Sequence, residues 1–76
     1  MSDTQELIEL YAEVLLPLPL RQLYTYRIPI DLFEQAVVGK RVFVPFGNKK
    51  VYTGLIINIQ TQAPQHYEAI NIISII

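Results

Sequence analysis

Cysteine and tryptophan are absent from this chain, histidine occurs once and glycine three times. Without cysteine there is no disulfide and no thiolate metal site, and a reducing compartment is compatible with the composition. The single His66 cannot build a histidine metal cluster, and in its polar loop beside Tyr67 it reads as a surface residue. No run of about 20 apolar residues exists to cross a membrane as a helix. The first residues carry no positive stretch of the kind that opens a secretory signal. Also missing are a Walker loop, a nucleophile elbow, a dinucleotide fingerprint and a paired-cysteine zinc pattern. Asp31 and Glu34 are the one acidic pair in the central stretch, spaced for one face of a helical turn, where a solvated cap is the expected role. The chain therefore reads as a binding module with no active site of its own.

Apolar residues make up 51% of the 76, which suffices for a real core, and charge is confined to 17%, which argues against disorder. A chain this short forms one domain at most and buries only roughly 60% of its unfolded surface, so the core has to be dense. The net charge of −1 hides a strong asymmetry. All six basic residues lie between positions 21 and 50, where only Asp31 and Glu34 oppose them, a local excess of four positive charges. The first twenty residues hold Asp3, Glu6, Glu9 and Glu13 and no base. Local fields govern association, because charges more than about 10 Å apart are screened at 0.1 M salt.

Strand signals dominate the chain. Residues 1–10 read as an N-terminal extension, polar at first, with Leu7, Ile8, Leu10 and Tyr11 on one side of a short helical turn. Tyr11–Leu16 reads as a strand ended by Pro17 and Pro19, after which Leu18 and Leu20 are expected to be extended and packed. Leu23–Ile28 is a strand rich in aromatic and β-branched residues, with Tyr24 and Tyr26 on one face and Leu23 and Thr25 on the other. Asp31–Ala36 is expected to form one helical turn with Asp31 as its cap and Phe33 turned inward. Arg41–Pro45 and Val51–Ile59 follow as strands, Gly54 marking a bulge or bend in the second. Tyr67–Ile75 is the expected last strand, and Val42, Val44, Leu55, Ile57 and Ile59 are the expected core of the central pair. The pattern predicts an all-β fold, a small partly open antiparallel β-barrel with one short helical turn, over residues 11–76. The chain stops inside an apolar strand pattern, Ile70 to Ile76, as expected of a domain excised from a longer protein.

The segment Val42-Phe43-Val44-Pro45-Phe46-Gly47-Asn48-Lys49-Lys50 is the most informative. Pro45 cannot donate to a sheet ladder, so the strand ends there or lies at an edge. Gly47 takes positive φ at little cost, and a tight turn follows that carries Phe46, exposed backbone amides and two lysines. Such a turn suits a nucleic-acid backbone; equally, it is what a basic hairpin turn kept polar for solubility looks like.

Two ordered stretches carry a resemblance: Val14-Leu15-Leu16-Pro17-Leu18-Pro19-Leu20-Arg21-Gln22-Leu23-Tyr24-Thr25-Tyr26, and Val38-Gly39-Lys40-Arg41-Val42-Phe43-Val44-Pro45-Phe46-Gly47 followed by Thr53-Gly54-Leu55-Ile56-Ile57. Over about Tyr11 to Ile76 the chain resembles the N-terminal domain of the bacterial replication-restart helicase PriA family, the primosomal N′ proteins. The resemblance implies a module that binds the 3′ end of the nascent leading strand at stalled or abandoned forks. It also implies a 3′-end pocket formed by Tyr24, Thr25 and Gly47. In the family an acidic residue stands where Thr25 does here, and a lysine opens the last strand where Ala69-Ile70-Asn71 has none. Arg21, Lys49 and Lys50 are the candidate phosphate contacts. No cofactor is implied for this chain. For the full-length parent the resemblance implies a cytoplasmic superfamily 2 helicase working 3′ to 5′, with ATP, magnesium and zinc. The implied partners are forked or 3′-ended DNA, the parent's other domains, primosome proteins and single-stranded DNA-binding protein, and no membrane.

By physical chemistry, a terminal base needs an aromatic platform, for which Tyr24 is the first candidate and Tyr26 the more core-like neighbour; the alternative is that Tyr24 is itself core with its hydroxyl at the rim. Competing readings are a protein-interaction β-barrel docking on its parent or a replisome partner through the Leu18–Leu20 segment, and an RNA-binding barrel.

Overall fold

The computed structural model describes residues 8–20 and 22–76; Arg21 and most of the N-terminal extension lie outside them. Five strands form one antiparallel sheet: β1 Leu10–Leu15, β2 Leu23–Ile28, β3 Arg41–Pro45, β4 Val51–Gln60 and β5 Ser74–Ile75, in the order β2-β1-β4-β3-β5. Leu10 and Tyr11 belong to β1 and not to a helical turn. Strand alternation places Ala12, Val14 and Leu16 of the first strand segment, Tyr26 and Ile28 of β2, and Val42 and Val44 of β3 in a common core, with Ile56 and Ile72. Tyr11 is buried on the opposite face, where Arg27, its direct partner in β2, lies over its ring and Glu9 accepts its hydroxyl proton at 2.6 Å.

β4 is the hinge of the architecture. Its first half, Val51–Leu55, pairs with β3 and its second, Leu55–Gln60, with β1. Glu13 faces Asn58 while Val14 faces Ile56, so Ile57 is an unmatched bulge residue. The expected Leu55–Ile57–Ile59 core stripe is corrected by this bulge. Gly54 and Ile56 point inward, Ile57 is 40% exposed, and only beyond the bulge does Ile59 turn to pack on the core. Gly54 is not the bulge; it is where β1 crosses closest.

A 3₁₀ helix, Ile30–Gln35, follows Pro29. Pro29, not Asp31, holds its N-cap position, and no side chain caps it; Leu32 donates its N–H to Pro29 O at 2.9 Å. Leu32, Phe33 and Ala36 pack on the core as the apolar spacing requires. Pro17–Leu20 turns tightly, with Leu18 N–H donating to Leu16 O at 2.8 Å. Leu18 is half-buried, but Leu20 projects into solvent and does not pack.

The last segment stitches the sheet's two edges. Arg27 N–H donates to Ile70 O and Ile72 N–H to Arg27 O, so this stretch runs beside β2. Directly after it, Ile73 donates to Phe43 O, and Ile76 to Arg41 O, both on β3. Regular pairing is limited to Ser74–Ile75, a much shorter strand than Tyr67–Ile75, because residues 70–76 divide their bonds between two edges. The result is a partly open barrel whose gap lies between the start of β2 and the end of β3.

Candidate nucleic-acid interface

That gap is a cleft. Its walls are the first residues of β2, the β3–β4 turn and the segment 67–70, and it encloses about 400 Å³. The volume is at the small end of the about 300–1,000 Å³ usual for ligand sites. Tyr24 enters it from β2 as a half-buried ring, held edge-on to Phe46 at 5.0 Å between centroids and 72° between planes. Phe46 in turn meets Tyr52 at 5.8 Å, so three aromatics line this end of the barrel. Pro45 ends β3 and sends the chain into the turn, where Phe46 N–H donates to Lys50 O at 2.9 Å. Gly47 adopts φ of 65°, as the turn demands, and a Cβ there would have no atom within 4 Å, so its backbone is open to the cleft.

Tyr26 forms the cleft floor. It is buried, and its hydroxyl donates to Pro45 O at 2.8 Å, tying the two lips of the gap together. Burial, with the neighbouring Tyr67 and Tyr24 adding to it, pushes the phenol up from 10.0 to about 12, so Tyr26 remains a neutral donor. Thr25, on the outer face of an edge strand, is nonetheless buried, and its backbone N–H donates to the Tyr67 hydroxyl at 2.9 Å.

The structure thus brings Tyr24, Thr25 and Gly47 together in one cleft lining. Lys49 and Lys50 sit on the same turn as Gly47, exposed and outside the lining; Arg21 lies outside the described residues. Lys49 holds a positive φ of 63°, a conformation a lysine rarely adopts. Sequence reasoning missed the wall contributed by Tyr67 and Glu68. The available signals were a tyrosine in an otherwise polar loop and the one acidic residue in the last third of the chain. Glu68 is the sole charged residue among the described lining residues.

Chemically, this is an aromatic slot with tyrosine hydroxyls, open backbone groups and, among the described lining residues, a single carboxylate, with two lysines on the adjoining turn. It can stack a planar ring and hydrogen-bond a hydroxyl. Among the described residues no helix is long and apolar enough to cross a membrane. The model of the PriA family's 3′ DNA-binding domain (3′BD) matches residues 13–76, which includes every residue of the cleft. No curated protein and no solved structure matches the chain.

Proposed function

The chain belongs to the family of PriA 3′ DNA-binding domains, and from that premise we propose that the Tyr24–Gly47 cleft receives the terminal nucleotide of a 3′-ended strand. The observation that carries the reading is the convergence of the adjacent Tyr24 and Thr25 with the distant Gly47 on a single cleft at the gap of the barrel. The terminal base stacks on Tyr24, an interaction worth about 1–3 kcal/mol and indifferent to base identity. The ribose approaches the Gly47 backbone, where no side chain blocks hydrogen bonding. Thr25 contributes a hydroxyl in place of the family's carboxylate. Lys49 and Lys50, on the same turn, meet the phosphates that trail out of the cleft, which adds affinity without sequence preference.

In this reading the module delivers a longer protein to the nascent leading-strand end at stalled or abandoned forks in the cytoplasm. Helicase action, its ATP and magnesium, and the zinc-binding cysteines that this chain lacks belong to the rest of that protein. Its further partners are the parent's other domains, primosome proteins and single-stranded DNA-binding protein. The test is fluorescence anisotropy with one oligonucleotide offered in linear form and closed into a circle. The linear form is expected to bind more tightly at every salt concentration. Equal binding of both would reduce the module to a salt-dependent DNA surface. Binding of neither at low salt would leave a docking barrel.

A further inference from the structure

Among the described lining residues the cleft holds one charge, and it is negative. Glu68 lies in the wall, and no lysine or arginine accompanies it among the described lining residues. A terminal group carrying a phosphate dianion meets a carboxylate there and, among the described lining residues, no counter-charge. A free hydroxyl meets an acceptor suited to a short charge-assisted hydrogen bond.

Glu68 is also held in place. The residue before it is fixed by the Tyr67 hydroxyl, which accepts the Thr25 N–H at 2.9 Å. Two residues after it, Ile70 O accepts the Arg27 N–H at 2.8 Å. Both anchors are on β2, the strand that presents Tyr24. The backbone that carries Glu68 is thereby fixed beside the strand of the stacking ring, and its side chain makes no structural hydrogen bond among the described residues. Arg27 does not line the cleft; its guanidinium faces the Tyr11 ring and Glu9 at 3.7 Å, with Glu68 acting on it more weakly than either.

We propose that Glu68 is the residue that reads the chemical state of the strand end, accepting a free 3′-hydroxyl and rejecting a 3′-phosphate. This rests on the cleft being the 3′-end site. The carboxylate comes from the segment 67–70, which the Tyr67 hydroxyl ties to Thr25, rather than from β2 itself.

The experiment compares the wild-type chain with Glu68→Gln and Glu68→Lys. The probes are two oligonucleotides identical except for a 3′-hydroxyl or a 3′-phosphate, plus the circular form. The wild type is expected to prefer the hydroxyl end by on the order of tenfold, the scale of one like-charge contact at a protein surface. Glu68→Gln keeps the acceptor oxygen and removes the charge. It is expected to hold the hydroxyl end within about threefold while most of the preference disappears through gained phosphate-end binding. Glu68→Lys is expected to reverse the preference. A wild type that prefers the hydroxyl and two variants that keep the whole preference would overturn the role of Glu68 and leave the end-binding cleft standing. A wild type that prefers linear to circular DNA but treats both ends alike would overturn it as well. Equal binding of linear and circular DNA would remove the cleft reading itself. Glu68 is exposed, so both variants are expected to unfold in denaturant as the wild type does.

Discussion

Tyr24 serves the core and the cleft at once: its ring packs on the hydrophobic core and on Phe46, and its remaining surface faces the slot. Truncation to alanine removes the platform and part of the packing, whereas phenylalanine keeps the ring. Tyr24→Ala is therefore expected to weaken binding to a 3′-ended strand by about five- to a hundredfold, the range of one lost base stack, while the domain still folds. Tyr24→Phe is expected to bind within about threefold of wild type. Anisotropy titrations run beside denaturant unfolding separate the two effects, and a folded alanine variant with wild-type affinity would discard Tyr24 as the platform. Tyr24, Thr25 and Gly47 were legible in the sequence through the ordered motifs that resemble the PriA family, which are short and local, with the turn's need for positive φ pointing to Gly47 as well. Tyr67 and Glu68 were not, because the bond that brings their segment to the cleft spans 42 positions and the segment has no strand periodicity.

Among the elements, β4 shows how a single unmatched residue reassigns a face. Its apolar run Leu55-Ile56-Ile57 offers two equivalent stripes, and nothing local chooses between them. The choice is made by the register against β1, where the bulge at Ile57 puts Ile56 inside with Gly54. The glycine signal was visible in the sequence, but its meaning was close approach. A Cβ at Gly54 would collide with the Val14 side chain and lie 2.9 Å from Leu16 Cδ2 and 3.1 Å from Leu15 O. Val14 is fully buried and the carbonyl is backbone, so neither yields easily. Gly54→Ala is expected to destabilise the domain by about 1–3 kcal/mol, the usual cost of overpacking a well-filled core. Urea unfolding should show a lower midpoint with an unchanged slope. A variant as stable as wild type would mean that β1 and β4 separate without penalty.

At the scale of the whole molecule the charges are arranged in two zones with opposite tasks. The cleft carries one carboxylate and no described cation, so it suits the uncharged end of a strand. The turn beside it carries Lys49 and Lys50, exposed, where the proposed function sets the phosphates trailing out of the cleft. The overall charge of −1 conceals this division, while the clustering of bases between positions 21 and 50 announces it. The two zones make separable predictions. Replacing Lys49 and Lys50 together by alanine removes phosphate contacts and should weaken linear and circular DNA alike. If each lysine meets one phosphate, the slope of log affinity against log salt becomes shallower by about 1.4, since a single-stranded contact contributes about 0.7. The ratio of hydroxyl-end to phosphate-end binding should stay at its wild-type value, because neither lysine lines the cleft. Anisotropy titrations across a salt series measure both quantities on the same samples. An unchanged slope would show that these lysines touch no phosphate, and a loss confined to 3′-ended strands would move them from the exit path into the end-reading site.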